Sequence, residues 1–335
     1  MREPPFWWRH GGSASAMLVP FAAIYGAVAA RRLSRPGRNA GAPVVCIGNP
    51  TVGGAGKTPA ALAVAHMLQA DGERPVLLSR GYGGQLAGPV IVDPTQHRAL
   101  DVGDEPLLLA RIATTVVARD RGKGAKAAVD AGASVIVMDD GFQNPALAKD
   151  FSVLVVDGRR GLGNGRVIPA GPLRAPLGAQ LDRAQAVVIV GAATAGDVEA
   201  QARARTLPVF GARLAPDPGF VEALGGGRVL AFAGIGDPDK FFATLRDAGI
   251  VVAASRRFDD HHRYTAAEAQ ALCADADREG LILVTTEKDL ARMQGDAETA
   301  ELAVQAHALP VTLTFDDEAG FRTLLKERIA RARVT

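Results

Sequence analysis

Residues 51 to 58 read Thr51-Val52-Gly53-Gly54-Ala55-Gly56-Lys57-Thr58, after the apolar run Pro43-Val44-Val45-Cys46-Ile47 and before an alanine- and leucine-rich stretch from Pro59 to Ala70. A strand, a glycine turn and a helix start in that order put several backbone N–H groups and a helix N-terminus around one anion. Lys57 is then set to reach the β- and γ-phosphates of a nucleoside triphosphate, and Thr58 to hold Mg²⁺. Thr51 stands where this pattern usually opens with glycine, but Gly53, Gly54 and Gly56 still allow the turn. The alternative is a chance meeting of glycine and lysine in a loop, and the flanking strand and helix argue against it.

From residue 41 onward, short β-rich runs alternate with helical ones, the pattern of a parallel sheet with helices on both faces. Strands are expected at 44–47, 75–78, 90–92, 115–118, 134–138, 151–156 and 186–190. Polar groups follow most of them: the phosphate loop, Ser79-Arg80-Gly81-Tyr82-Gly83-Gly84, Arg119-Asp120-Arg121, Asp139-Asp140-Gly141-Phe142-Gln143 and Asp157-Gly158-Arg159-Arg160. In open α/β sheets ligands bind beyond the carboxyl ends of the strands, so these groups should converge on one crevice. Residues 158–176, rich in Gly, Pro and Arg, read either as an ordered loop over that crevice, with Arg166 and Arg174 as phosphate contacts, or as a solvated connector. Beyond about residue 205 a second α/β pattern begins, with strands at 229–233, 251–255 and 281–284, a helix at 266–279 and a last helix from 318. The expected organisation is an N-terminal membrane-associated segment at 1–40, a phosphate-loop NTPase-like core domain at 41–205 and a smaller α/β domain at 206–335.

The chain has 335 residues, 48% of them hydrophobic and 22% charged, enough apolar content for two cores. Two cysteines, Cys46 and Cys273, cannot make a disulfide framework or a metal cluster, and both fit buried small side chains. The net charge of +2 hides an asymmetry: Arg2, Arg9, Arg31, Arg32, Arg35 and Arg38 stand against Glu3 in the first forty residues. One basic end on a mildly acidic remainder excludes a general nucleic-acid binder. This end brackets the apolar stretch Ala14 to Ala30, preceded by Phe6-Trp7-Trp8. The stretch is short for a spanning helix and contains Pro20. Ala27-Val28-Ala29 resembles a signal-peptide cleavage site, but export would carry the phosphate loop away from ATP, and the arginines that follow oppose translocation. A membrane-surface helix, with Trp7, Trp8 and Tyr25 at headgroup level, is favoured over a buried helix of the globular part.

The run Val135-Ile136-Val137-Met138 ending in Asp139-Asp140 matches the carboxylate that meets Mg²⁺ in an NTPase, although two aspartates at a strand end can also cap a turn. Asp104-Glu105 opens a helix, and on local sequence alone helix capping explains it. In Phe258-Asp259-Asp260-His261-His262-Arg263-Tyr264 an imidazole held by a carboxylate can take a proton from an acceptor hydroxyl near neutral pH; a surface loop is the plain alternative. Thr285-Thr286-Glu287-Lys288-Asp289 either faces the crevice or caps a helix. A partitioning-type ATPase would carry a signature lysine where Val52 stands, and a GTPase would carry Asn-Lys-x-Asp, which is absent. A kinase acting on a hydroxyl is the class that remains with a use for the second domain.

Taken together, these blocks resemble the tetraacyldisaccharide 4′-kinase family, in Thr51–Pro59, Ser79-Arg80-Gly81-Tyr82-Gly83, Val102-Gly103-Asp104-Glu105-Pro106, Asp139–Gln143, Gly163-Asn164-Gly165 with Pro169–Arg174, Asp260-His261-His262 and Thr285–Asp289. The resemblance implies an inner-membrane enzyme of a Gram-negative bacterium, active at the cytoplasmic face. It would use ATP and Mg²⁺ to phosphorylate the 4′-hydroxyl of a tetraacylated glucosamine disaccharide 1-phosphate, giving lipid IVA, with no obligate protein partner. It also implies a catalytic dyad in which Asp104 takes the acceptor proton and pairs with His261 or His262. Lys57 would stabilise the transferring phosphoryl group, the loop from Thr51, Val52, Gly53, Gly54 and Ala55 to Gly56 would hold the nucleotide, and Thr58, Asp139 and Asp140 would serve the metal. The family position after Leu173-Arg174 is usually acidic; here it is Ala175, so no contact of that carboxylate carries over.

Overall fold

A computed structural model of the chain describes residues 3–9, 12–192 and 196–334. Its strands are β1 (Val44–Gly48), β2 (Pro75–Ser79), β3 (Val90–Ile91), β4 (Thr115–Val117), β5 (Val135–Asp139), β6 (Phe151–Asp157), β7 (Ala186–Val190), β8 (Val209–Pro216), β9 (Arg228–Ala233), β10 (Val251–Arg257), β11 (Ile282–Thr286), β12 (His307–Leu309) and β13 (Val311–Phe315). Nine of them form one sheet in the order β13-β8-β7-β6-β1-β5-β2-β4-β3, and four form a second in the order β10-β9-β11-β12. The small sheet is wholly parallel, and the large one is parallel except at its two edges, where β13 runs against β8 and β3 against β4.

The central strands are apolar along their whole length because both faces are covered. Val45 and Ile47 of β1 pack with the helix Lys57–Ala70 and with Phe321, Leu325 and Ile329 of the C-terminal helix. The intervening Val44 and Cys46 point the other way, into a core shared with Ala125, Ala128, Leu181 and Val198. Cys46 and Cys273 are both buried, and burial pushes the Cys46 thiol up to about 12.

The division expected at residue 206 does not coincide with the sheets. The small sheet spans residues 228–309, while β8 and β13 on either side of it extend the large sheet, which the helix Glu318–Val334 then covers. The second unit is therefore an insertion into the first. Its two connections run side by side, with Asp217 N–H donating to the carbonyl of Pro310 (3.0 Å), the single residue between β12 and β13. β8, β12 and β13 were not anticipated from sequence. The first is only half-buried along most of its length, pairing with β7 on one side and, on the other, with β13 about a hundred positions later.

The apolar N-terminal stretch forms two consecutive helices, Ser13–Met17 and Val19–Leu33. Pro20 does not break the second, because it sits in the first turn, where its missing N–H has no partner to lose. Ala22 and Gly26 face inward, and a Cβ at Gly26 would touch Pro176 and Val167. Met17, Phe21, Ile24 and Val28 form the opposite stripe at helical spacing and are exposed, Phe21 by 64% and Ile24 by 68%. Among the described residues, no helix is long and apolar enough to cross a membrane.

Candidate active site

The phosphate loop leaves the end of β1 at the centre of the large sheet. Gly56 takes a left-handed conformation (φ 90°) at the start of the helix Lys57–Ala70, a geometry a side chain would strain, and no side chain caps the exposed N–H groups there. Gly48 is required for a second reason: a Cβ there would collide with Phe142 of the Asp-Asp-Gly-Phe-Gln block on the neighbouring strand end. Lys57 Nζ donates back to the Gly53 carbonyl (3.4 Å) and lies 4.0 Å from Asp140.

β1 and β5 are neighbours, with Ile47 opposite Asp139, so the carboxylates come to the mouth of the phosphate loop. Thr58 Oγ1 donates to Asp139 Oδ2 (3.2 Å), while Asp139 Oδ1 is buried without a hydrogen-bond partner. Burial pushes the Asp139 carboxyl up to about 7; Glu105 and Asp140 add to the shift and Lys57 opposes it. Asp140 behaves differently. Burial acts to raise it, but Lys57 and Arg174 outweigh burial and hold it at about 2. Arg174 grips both oxygens of Asp140 (2.8 and 3.3 Å) and donates from Nε to the Thr51 carbonyl (2.9 Å). Hydroxyl and open carboxylate oxygen side by side suit Mg²⁺, which takes few protein oxygens and completes its shell with water and phosphate. The fit centres on Thr58 and Asp139, whereas Asp140 is spoken for by cations of the chain itself.

The loop at 158–176 is ordered over the site. Thr51 and Val167 each bridge to Leu173, Val52 N–H donates to Pro172 O (2.9 Å) and Arg174 N–H to Pro50 O (2.9 Å). Arg166 instead donates to Ser15 Oγ (3.1 Å), and Asn164 reaches Phe6 O (3.1 Å), Ser15 Oγ (3.1 Å) and Ala170 O (2.9 Å). This ties the N-terminal helices to the loop that pairs with the phosphate loop. Ala175 is fully buried, a position where a carboxylate would lack water.

Asp104 lies at the start of the helix Asp104–Ala110 and is nearly inaccessible (3%), but it does not cap that helix: among the described residues its Oδ1 accepts only from the next residue, Glu105 (2.9 Å). Its Oδ2 faces His261 Nδ1 (3.3 Å) and accepts from Arg292 Nε (2.8 Å). Burial acts to raise Asp104, yet the bond with His261 and the charges of Lys288 and Arg292 outweigh it and hold the group well below the usual carboxylate range. The same bond raises His261, against burial. His262 is turned away. Its Nε2 pairs with Glu268 (2.9 Å), its ring stacks on Phe258 at 4.9 Å, and it takes no part in the couple. Asp104 and His261 line a cavity of about 130 Å³ together with Tyr82, Gly83, Gly103 and Arg263.

Lys288 joins the two halves. Thr286 does cap the helix Glu287–Met293, and the same turn sends Lys288 Nζ to Glu105 (2.6 Å). Burial acts to lower Lys288, but Glu105, Asp104 and Asp139 raise it, so one ammonium lies in the field of the couple and of the carboxylate at the phosphate loop. Glu105, Lys288 and Arg292 are site residues whose part was not read from sequence. Their blocks were visible, but a glutamate in a first helical turn and basic residues inside a short helix carry no local sign of meeting across two sheets.

The family described as tetraacyldisaccharide-1-P 4′-kinase (LpxK) matches residues 14–330. The chain belongs to the tetraacyldisaccharide 4′-kinase family. It is 56% identical over 334 residues to the tetraacyldisaccharide 4′-kinase of Rhodopseudomonas palustris (strain BisA53), covering 99% of this chain and 97% of that one. It is 57% identical to the one of Nitrobacter hamburgensis, covering 99% and 100%. A solved structure of LpxK from Aquifex aeolicus, an "apo" form in complex with ATP, superposes with a TM-score of 0.72 at 28% identity, covering 94% of this chain and 99% of that one. The α/β architecture is thus that of the family, and the protein is an ATP-dependent kinase of lipid A biosynthesis.

Proposed function

We propose that this site moves the γ-phosphate of ATP to the 4′-hydroxyl of tetraacylated glucosamine disaccharide 1-phosphate, giving lipid IVA, with ATP on the phosphate loop and the sugar hydroxyl beside the Asp104–His261 couple. The observation that carries the assignment is Lys288, whose charge acts on Asp104, Glu105 and Asp139 together and so ties the acceptor side to the nucleotide side. Lys57 follows the transferring phosphoryl group and offsets its charge. The couple takes the acceptor's proton as a unit. Asp104 is the ionised carboxylate, and His261, whose proton affinity is the higher of the two, is where the proton comes to rest. Thr58 and Asp139 would hold Mg²⁺, which would supply further positive charge for the transfer. Asp140 positions Lys57 and Arg174 in this reading.

The membrane reading rests on the outward stripe of Met17, Phe21, Ile24 and Val28 and on Arg31 and Arg32 at the end of the same helix. An apolar stripe flanked by arginines lies in the interfacial plane of an anionic bilayer. A substrate with four acyl chains stays in its membrane, at about 0.8 kcal/mol per buried CH₂, so the enzyme works at the surface, on the cytoplasmic face of the inner membrane where ATP is found. The test is transfer of label from γ-labelled ATP to the purified disaccharide lipid in mixed micelles. Label in a lipid product sensitive to loss of Asp104 is the expected result, and ATP hydrolysis without a labelled lipid would overturn it.

A further inference from the structure

We propose that Glu3 is an internal stand-in for a nucleotide phosphate, seated between the phosphate loop and Arg160 until a triphosphate displaces it. The Glu3 side chain is only 19% exposed, although it lies next to the N-terminus. Its Oε2 accepts from Trp8 Nε1 (2.9 Å) and from Arg160 Nη1 (3.1 Å). Its Oε1 is turned onto the phosphate loop, so near Gly53 that a Cβ on that residue would collide with it. Arg160 follows β6, the strand beside β1, and its guanidinium lies 4.9 Å from the centre of the Trp8 ring. The same guanidinium pairs with Asp237 (3.1 Å) and donates to Gly236 O (3.4 Å), and a Cβ on Gly236 would lie 3.6 Å from Gly54 N.

One carboxylate is therefore held by an indole N–H and a guanidinium and pressed against a phosphate-loop glycine, a setting in which N–H and guanidinium donors also recognise phosphate oxygens. Burial raises Glu3 against the pull of Arg160, and Asp260 adds to the rise, so the carboxylate is not at ease there. A triphosphate on the loop brings more charge to the same donors, and the two anions exclude one another. Arg160, released by Glu3, is then left facing the phosphates.

The inference rests on the loop being the ATP site, and the test separates the two. ATP binding to the full chain with Mg²⁺ is measured by calorimetry for the wild type, Glu3→Gln, Trp8→Phe and Lys57→Ala. If the seated form is about ten times the more populated, Glu3→Gln binds ATP about tenfold tighter and Trp8→Phe tightens it by less. Indole emission of the wild type changes on saturation with ATP as Trp8 loses its acceptor, and the change disappears in Trp8→Phe. Equal or weaker binding by Glu3→Gln, or wild-type emission indifferent to ATP, overturns the stand-in and leaves the ATP site standing. No binding by the wild type, or undiminished binding by Lys57→Ala, removes the site and the inference together.

Discussion

Asp104→Asn is the sharpest test of the acceptor side, because the change keeps the shape and removes only charge and basicity. Asparagine can still accept from the Glu105 N–H through its carbonyl, and Arg292 keeps a second carboxylate in Asp289 at 2.9 Å. The amide nitrogen then replaces Oδ2 and accepts from neither Arg292 nor His261, so two charge-assisted contacts go at about 1.5–3 kcal/mol each, and a cooperative thermal unfolding transition should show the variant still folded. Catalysis pays more. A positioned proton acceptor contributes about 10²- to 10⁴-fold, so kcat should fall by that range while ATP affinity, set at the other end of the crevice, stays within about twofold. The pH profile carries a second signature. His261 is raised by its bond with Asp104 and by that carboxylate's charge, and the couple accepts a proton only while the imidazole is neutral. Wild-type activity should thus rise with pH through a value above the ordinary histidine range of about 6.5. In Asp104→Asn the largest raising cause is gone and burial and Lys288 pull downward, so the residual activity should show its acid limb at lower pH. Assayed by label transfer to the lipid from pH 5 to 9, near-normal kcat or an unmoved acid limb in the variant would refute the couple.

Lys57→Ala should reduce kcat at least as severely as the loss of an oxyanion donor, about 10²- to 10³-fold, with an unchanged circular dichroism spectrum, since among the described residues its ammonium pairs with Gly53 O and Asp140; normal turnover would remove its role. His262→Ala should keep kcat within a few-fold while costing about 1 kcal/mol in urea unfolding, because the ring serves Glu268 and Phe258; a collapse of kcat like that expected of His261→Ala would reverse the choice between the two. Asp139→Asn should raise the Mg²⁺ concentration needed for half-maximal activity, and an unchanged Mg²⁺ dependence would place the metal elsewhere. Phe21→Glu with Ile24→Glu should weaken partition to anionic vesicles by several kcal/mol, at about 1.5–3 kcal/mol per side chain, without altering ATP binding; sedimentation with vesicles that matches the wild type would end the surface-helix reading.

The strands around the phosphate loop were legible because each is an apolar, β-branched-rich run closed by a turn, and their starts at 75, 151 and 186 came directly from that pattern. β13 was harder. Its five residues follow Pro310 after a whole inserted sheet, and only its pairing with β8 makes it part of the first sheet. Asp104 illustrates the same limit at the site. Locally it is an acid in a first helical turn, and its distinction comes from His261 and Arg292, each more than 150 positions away.

By itself the sequence determined the chemistry on offer: a glycine loop with lysine and threonine, carboxylates at a strand end, histidines beside acids, and an apolar stretch fenced by arginines. These are local properties, fixed by backbone preference and side-chain type over a few residues. Tertiary structure decided which groups meet: that His261 rather than His262 faces Asp104, that Arg174 takes Asp140 and leaves Asp139 open, that Lys288 spans both sides, and that Glu3 rests on the phosphate loop. Such pairings depend on how two sheets and their loops pack in space, and no window along the chain contains that information.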